Sequence, residues 1–302
     1  MQYVIGIEGG GTKSRAVALG RDRRIHGRAQ GRGMNIQTTP LDSLREILAK
    51  LVGALQERLG KPSAISIGLA GCDRIQDKQM LKGILREMFP GIPCLAESDS
   101  RVGLYAAFEE SPGILLIAGT GSIAVGQNGK GRIVRAGGWG YLLGDEGSGY
   151  AIGRKAIRAC LEGRKTRMAV RIQRTLKLKE IKDVIPWVYS RKDAPREVAR
   201  LAPLVFEAAR QKDPAALEIV EQAASSLCDL CFDLAEQLNL THPSAAFSGG
   251  LLSHPTPLRR RLRELLGEHV SVVQPRHPAP VGAALLAERV GAGSKKISGK
   301  TP

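Results

Sequence analysis

The sequence carries one short pattern twice: an apolar run, a turn rich in glycine and threonine, and a second apolar run. The first copy spans residues 4–19 with its turn at 9–12, and the second spans 114–126 with its turn at 119–122. Glycines let a backbone adopt positive φ and bring its N–H groups close to an anion. The first turn lacks the Gly-Lys-Ser/Thr ending and following helix of a P-loop. We therefore expect two phosphate-binding β-hairpins, although an ordinary glycine turn remains the alternative for the first copy taken alone.

Hydrophobic periodicity predicts the same order of elements in both halves of the chain. The first half reads as three strands followed by alternating helices and strands, βββαβαβα. The second half again begins with three strands, the last two joined by an Asn128-Gly129 turn that is typical of hairpins. Helical segments at about 150–240 interrupt the repeat. We predict an α/β fold with domains at 1–112 and 113–292, a helical insertion in the second, and a disordered tail at 293–302.

Composition excludes several classes of protein. The chain has 302 residues, of which 43% are hydrophobic, and no apolar run approaches the ~20 residues of a membrane span. Because the N-terminus enters a strand directly, we expect no signal peptide and no membrane association. Five scattered cysteines indicate free thiols in a reducing cytoplasm. Cys228 and Cys231 form a C-x-x-C pair within an apolar helical pattern, which favours core packing over metal binding.

The charge of the chain is strongly positive. The formal net charge is +16, and residues 153–182 contain eleven Lys or Arg against two Glu. One interpretation of such a segment is a surface that binds nucleic acid. The segment has no aromatic side chains to stack on bases, so we favour a solvated basic surface that attracts an anionic substrate.

Five motifs in order give the chain a family resemblance. They are Glu8-Gly9-Gly10-Gly11-Thr12-Lys13, Ser98-Asp99, Ala118-Gly119-Thr120-Gly121-Ser122, Gly137-Gly138-Trp139-Gly140 with Gly144-Asp145-Glu146-Gly147-Ser148, and Ser248-Gly249-Gly250. In this order the chain resembles the actin-like ATPase superfamily. Within it, the chain is most similar to BadF/BadG/BcrA/BcrD-type ATPases and N-acetylglucosamine kinases. The resemblance implies two ribonuclease-H-like domains around a cleft that binds ATP and Mg²⁺, and it implies a homodimer.

The resemblance also implies roles for particular residues. ATP and its phosphates would contact Gly10, Gly11, Thr12, Lys13, Gly119, Thr120, Gly121, Ser122, Gly249 and Gly250. A sugar acceptor would contact Asn35, Asp99, Thr120, Gly121, Trp139 and Asp145. Glu8 and Asp99 would hold Mg²⁺ through water. For Trp139 the alternative is a tryptophan that anchors its loop in the core.

Asp99 is the candidate catalytic residue. It follows a predicted strand, and phosphoryl transfer to an alcohol needs a carboxylate that takes the hydroxyl proton. The family base falls at this position, whereas the alternative for Asp99 is a helix N-cap. Two positions depart from the family pattern. Glu8 stands where the wider superfamily has Asp, and Ala70 stands where related N-acetylglucosamine kinases can carry a serine that reaches the substrate.

The motifs leave more than one function open. The first hypothesis is an ATP-dependent hexose or amino-sugar kinase that converts N-acetylglucosamine to its 6-phosphate, with glucosamine, glucose, mannose and N-acetylmuramic acid as other acceptors. The second is a BadF-type ATPase that activates a partner enzyme through a bridging iron–sulfur cluster. No cysteine lies between Cys94 and Cys160, which disfavours the second. A weaker third reading is an ATP-dependent regulator without a small-molecule acceptor.

Overall fold

The computed structural model describes residues 1–163 and 166–293. The chain divides into two compact units. Unit 1 is Met1–Glu110 together with the chain from Pro275 onward, and unit 2 is Ser111–Gln274. Each unit contains one five-stranded mixed sheet with helices packed against it.

Unit 1 follows the predicted order of elements. Its sheet has the order β3-β2-β1-β4-β5, antiparallel from β1 to β3 and parallel from β1 to β5. The elements are β1 (Tyr3–Gly9), β2 (Lys13–Gly20), β3 (Ile25–Arg32), α1 (Leu41–Leu59), β4 (Ile65–Leu69), α2 (Ile75–Met88), β5 (Cys94–Ser98) and α3 (Asp99–Phe108).

The leucine stripe of α1 forms much of the unit 1 core. Leu44, Leu48, Leu51 and Leu55 are buried at helical spacing. Leu41, at the first turn of the helix, is 46% exposed. The core therefore begins one turn into α1.

Unit 2 repeats the arrangement around a larger set of helices. Its sheet has the order β10-β9-β6-β7-β8. The elements are β6 (Gly113–Ala118), β7 (Ser122–Gln127), β8 (Ile133–Gly137), α4 (Gly149–Leu161), α5 (Arg167–Thr175), a 3₁₀ turn (Ile181–Asp183), α6 (Val184–Tyr189), α7 (Ala194–Ala199), α8 (Ala202–Arg210), α9 (Pro214–Gln237), β9 (Ser244–Ser248), α10 (Pro257–Leu266) and β10 (Ser271–Val273). Helices α4 to α9 are the insertion between the first three strands and β9.

The last helix, α11 (Ala279–Gly293), belongs to unit 1. It packs against β1 so closely that a Cβ on Gly6 would lie 2.1 Å from the Ala284 nitrogen. On α11 itself, a Cβ on Gly282 would lie 2.5 Å from the Ala106 Cβ in α3. The predicted domain range 113–292 placed this helix in the second domain, and the packing corrects that assignment. Unit 2 is thus inserted into unit 1.

Three composition-based expectations can be compared with the structure. All five cysteines are buried free thiols, and burial raises the pKa of Cys231 to about 12, so the C-x-x-C pair is core. Among residues 1–163 and 166–293, no helix has the length and apolarity needed to cross a bilayer. Of the predicted disordered tail, residue 293 ends α11 and residues 294–302 lie outside the described part of the chain.

Candidate functional site

The first glycine turn joins β1 to β2. Its ends are closed by a hydrogen bond from the Gly10 N–H to the Lys13 carbonyl, 3.1 Å. Gly11, Thr12 and Lys13 are exposed, and a Cβ on Gly11 would meet no atom within 4 Å. Neither Gly10 nor Gly11 has positive φ. The prediction that this turn needs glycine for positive φ is therefore wrong at these two positions. What the turn offers is open space around its backbone.

Glu8 precedes this turn and forms an ion pair that we did not foresee. Arg15 lies opposite Glu8 in the β1–β2 register. Its Nε and a terminal guanidinium nitrogen both donate to Glu8 Oε2, at 2.9 and 2.7 Å. One oxygen of the candidate metal carboxylate is therefore committed to a guanidinium, and Oε1 is the atom left for a hydrated ion.

The Asn35 loop is hydrogen-bonded to the first glycine turn and to the residues after β4. The Met34 N–H donates to the Gly10 carbonyl, 3.0 Å, and the Ile36 N–H donates to the Ala70 carbonyl, 3.0 Å. Asn35 itself forms a parallel β-bridge with Ala70. The candidate phosphate turn and the candidate acceptor residue Asn35 are thus linked through backbone hydrogen bonds within unit 1.

The side chain of Asn35 has a defined orientation. Its Oδ1 accepts a hydrogen bond from the Gln37 N–H at 2.8 Å. The Gln37 side-chain amide in turn donates to the Gly71 carbonyl at 3.1 Å. The bond to Oδ1 fixes the orientation of the amide, whose Nδ2 group is its donor toward a ligand. Gln37 was not among the predicted site residues.

Asp99 is the first residue of α3, directly after β5. The N-cap role belongs to Ser98, whose Oγ accepts from the Arg101 N–H at 3.2 Å, so the N-cap alternative for Asp99 is wrong. Asp99 Oδ1 accepts from the Ser100 N–H at 2.8 Å. Burial, followed by the negative charge of Asp73, raises the pKa of Asp99 to about 6, with Glu8 adding a smaller effect. A carboxyl with this pKa is ionised at neutral pH and is a stronger base than an ordinary aspartate.

The second glycine turn joins β6 to β7 and anchors the start of α4. The Gly149 N–H donates to the Gly119 carbonyl at 2.8 Å, and the Tyr150 N–H donates to the Thr120 carbonyl at 3.2 Å. Ser122 is buried, and its hydroxyl donates to the Glu146 carbonyl at 2.8 Å. The Ser122 hydroxyl is therefore used to fix the following loop, which leaves Gly119, Thr120 and Gly121 as the accessible part of the turn.

Asp145 lies against this second turn. A Cβ on Gly121 would be 2.6 Å from Asp145 Oδ2, so a side chain larger than hydrogen would displace the carboxylate. Asp145 has φ of +59°, and burial raises its pKa. The structure thus brings together Thr120, Gly121 and Asp145, three of the predicted acceptor residues, within unit 2.

Trp139 lies on the surface of the same loop. It is 61% exposed, and the Arg135 guanidinium stands 4.7 Å above its ring. The alternative of a core tryptophan is therefore wrong. Tyr141, Leu142 and Leu143 are also exposed, which makes this loop an apolar surface next to Asp145.

The glycine pair after β9 meets the end of β6. Gly249 has φ of +84°, and its Cβ would lie 2.2 Å from the Ala118 carbonyl oxygen. The Leu251 N–H donates to the same carbonyl at 3.0 Å. Gly250 is exposed with open space around its Cα. Gly249 is thus required by the fold, whereas Gly250 leaves the backbone accessible to a ligand.

Within each unit, the predicted residues gather at one end of the sheet. Unit 1 brings Glu8, the first glycine turn, Asn35 and Asp99 to the ends of β1, β3 and β5. Unit 2 brings the second glycine turn and Gly250 to the ends of β6 and β9, with Asp145 beside that turn. Among the described residues, no cluster of three or more His, Cys, Asp or Glu side chains could hold a metal ion.

The glycine motifs and their places at the sheet ends match a known family. The family model of the BadF/BadG/BcrA/BcrD ATPases matches residues 5–287. The chain belongs to this family. The motif-based resemblance is confirmed, and so is the predicted α/β class of actin-like ATPases.

The relatives of this chain include sugar kinases. It is 32% identical to the N-acetylmuramic acid/N-acetylglucosamine kinase of Clostridium acetobutylicum, over 95% of this chain and 98% of the relative. It is 30% identical to the N-acetyl-D-glucosamine kinase of Dictyostelium discoideum, again over 95% and 98%. The crystal structure of a putative N-acetylglucosamine kinase from Chromobacterium violaceum superposes with a TM-score of 0.76 at 28% identity, covering 95% of this chain and 99% of that one.

Proposed function

We propose that this protein is an ATP-dependent sugar kinase that phosphorylates the 6-hydroxyl of N-acetylglucosamine. The observation that carries the proposal is Asp99, a carboxyl with its pKa raised to about 6 at the end of β5. The near full-length similarity to two N-acetylglucosamine kinases supports the choice of acceptor.

Asp99 acts as the general base in this proposal. It accepts the proton of the acceptor hydroxyl while that oxygen forms a bond to the γ-phosphorus, and the bond from that phosphorus to the β,γ-bridging oxygen breaks to release ADP. The hydrogen bond from the Ser100 N–H holds Oδ1, so Oδ2 is the oxygen available for the proton. Phosphoryl transfer depends mainly on positioning and on neutralising charge, which is the work of the remaining residues.

The predicted binding residues of each unit have their own roles in this proposal. Asn35 donates from Nδ2 to a sugar oxygen, and Thr120, Gly121 and Asp145 contact further hydroxyls. Trp139 packs on the sugar ring or its acetamido methyl. The nucleotide phosphates bind to the exposed backbone N–H groups of the two glycine turns, with Lys13 adding positive charge, and the adenosine passes Gly250.

The predicted site offers Mg²⁺ two carboxylates, Glu8 and Asp99. Mg²⁺ bound with a nucleotide keeps most of its waters and needs only one or two protein carboxylates. Glu8 Oε1 and Asp99 meet that need, whereas Glu8 Oε2 is held by Arg15. When bound, the ion neutralises charge on the transferring phosphates.

The first experiment measures ADP release from Mg-ATP with N-acetylglucosamine, glucosamine, glucose, mannose and N-acetylmuramic acid, and with no sugar as the blank. We expect N-acetylglucosamine to give the highest kcat/KM. The position of the phosphate in the product is then assigned by ³¹P–¹H NMR. Release equal to the blank with every sugar would contradict the proposal and favour a partner-activating ATPase.

The proposal also covers the compartment, the oligomeric state and the role of the basic charge. Five buried free thiols suit a reducing cytoplasm. A homodimer is the assembly implied by the family resemblance, and light scattering of the purified protein tests it. We expect the basic charge to serve substrate attraction rather than nucleic-acid binding, which a shift assay with duplex and single-stranded DNA would check.

A further inference from the structure

A cavity of about 400 Å³ in unit 2 has an arginine-rich lining. It lies between the carboxyl end of α8 and the start of α10. We define the basic pocket as this cavity, whose lining includes Arg210, Thr256, Arg259, Arg260 and Arg263. The other described residues around it are two prolines, so none of them is acidic. Ligand pockets in proteins start at about 300 Å³, so the cavity is large enough for a small molecule.

The backbone at the rim of the basic pocket is held rigidly. Pro255 and Pro257 fix φ on either side of Thr256. Thr256 Oγ1 accepts from the Arg259 N–H at 3.0 Å and donates to the Leu251 carbonyl at 2.8 Å. The arginines at the start of α10 therefore project from a backbone that is fixed by proline geometry and by hydrogen bonds.

The guanidinium of Arg259 is also held in place. One of its terminal nitrogens donates to the Leu252 carbonyl at 2.9 Å, and its central carbon lies 5.8 Å from the centroid of the Phe247 ring. A guanidinium offers several N–H donors, and this bond uses one of them. Arg259 therefore keeps donors for a ligand, in an orientation that is set before the ligand binds.

The arginines of the basic pocket are poorly neutralised. Among the described residues, no carboxylate forms an ion pair with Arg210, Arg259 or Arg263. Arg260 lies 3.8 Å from Glu264, and such an exposed pair contributes little. Four guanidinium groups around one cavity thus have most of their positive charge available to a ligand.

Arg261, on the same helix, shows the ordinary arrangement of a surface arginine. Its Nε and one terminal nitrogen donate to the two carboxylate oxygens of Glu221 on α9, at 2.5 and 2.9 Å, and its other terminal nitrogen donates to Glu264 at 3.1 Å. Like charges three or four positions apart destabilise a helix, and so do positive charges near its start. The three α10 arginines of the basic pocket share these costs without a bidentate carboxylate, and a bound anion would offset them.

We propose that the basic pocket binds a small molecule that carries more than one phosphate group. The planar guanidinium fork matches phosphate oxygens bidentately, and several arginines together favour a multivalent anion. The small volume favours a metabolite over a nucleic acid, and none of the described lining residues is an aromatic side chain that could stack on bases. None of them belongs to the two glycine turns either. The proposal therefore does not depend on the kinase function.

The test titrates three probes into the full chain by isothermal calorimetry: inorganic pyrophosphate, fructose 1,6-bisphosphate and a short DNA duplex. The first two distinguish an inorganic from a sugar-borne source of the phosphates, and we expect at least one of them to bind. Arg210→Gln and Arg263→Gln alter two different helices that line the same cavity. Each should weaken that binding about tenfold, the effect of one lost charge-assisted hydrogen bond. If one of these variants does not fold, the other carries the test.

Two control variants separate the basic pocket from other sources of anion binding. Arg261→Gln removes an arginine of the same helix that is already paired with carboxylates, and it should leave the affinity unchanged. Lys13→Gln removes positive charge from the first glycine turn and should leave this binding unchanged as well. Circular dichroism and the thermal midpoint show whether each variant is folded.

Each contrary result overturns the proposal in its own way. Absence of binding by both small anions, or wild-type affinity in both Arg210→Gln and Arg263→Gln, would remove the site. Equal weakening by Arg261→Gln and Arg263→Gln would indicate attraction to the net charge of +16 instead. Loss of binding in Lys13→Gln alone would assign the anion to the first glycine turn. Binding of the duplex without either small anion would assign the surface to nucleic acid.

Discussion

Replacing Asp99 with asparagine should separate catalysis from stability. The asparagine keeps the shape of the side chain and an oxygen for the Ser100 N–H, but it cannot take a proton from the acceptor. Loss of a positioned general base typically costs 10²- to 10⁴-fold in rate. We expect Asp99→Asn to lose about that much in kcat while retaining its affinity for ATP.

The same substitution should stabilise the protein, because the half-buried carboxyl group of Asp99 is less favourable ionised than protonated. The pKa of Asp99 is about 6 in the folded protein, against 3.8 for an unperturbed aspartate. A group with a raised folded-state pKa favours folding below its unfolded pKa, and that contribution is lost as the pH rises through about 6. At about 1.4 kcal/mol per pKa unit, ionised Asp99 lowers the free energy of unfolding by up to about 3 kcal/mol at pH 8, and by about half of that at pH 5.

The assay is urea unfolding of wild type and Asp99→Asn at pH 5 and pH 8. The exposed substitution Asp42→Asn serves as the control for net charge. We expect Asp99→Asn to exceed wild type by up to about 3 kcal/mol at pH 8, with the gap roughly halved at pH 5. A gap of the same size at both pH values would refute the link to ionisation, and a less stable variant at pH 8 would refute the unfavourable burial of the charge.

Three further outcomes follow from the geometry. The kcat/KM for N-acetylglucosamine should rise with pH through about 6, because Asp99 must be ionised to accept the proton, and a flat profile from pH 5 to 8 would contradict its role as base. Gly121→Ala should raise the KM for the sugar more than tenfold, since the new Cβ displaces Asp145; an unchanged KM for the sugar would argue against a sugar contact by Asp145. Gly249→Ala should lower the free energy of unfolding by about 2–4 kcal/mol, because positive φ and the backbone contact with Ala118 both oppose a side chain, and an unchanged thermal midpoint would contradict this.

Local patterns predicted the strands and most helices because alternation and leucine spacing are local properties. They could not assign α11 to a sheet, because the sequence of an apolar helix does not indicate which strands it packs against. Its close approaches of Ala284 to Gly6 and of Gly282 to Ala106 join residues more than a hundred positions apart. The helix was therefore placed with its neighbours in sequence rather than with unit 1.

The candidate site was predictable where one residue has one chemical task, as with Asp99 at a strand end. It was less predictable where residues act in pairs. Arg15 binds Glu8 across the hairpin, a partnership that follows from the register once both strands are drawn. The reason for Gly249 lies in the Ala118 carbonyl, which only the folded chain reveals.

The return of the chain to unit 1 through α11 dictates the order in which the protein can fold during synthesis. A nascent chain that has reached Gln274 contains every residue of unit 2, yet β1 still lacks the helix that covers one of its faces. Val4 and Val17, which belong to one cluster with residues of α11, lack those neighbours until α11 has been synthesised. The unit made first is therefore the unit finished last, and the amino-terminal sheet is the part of the molecule that depends on protection while translation continues.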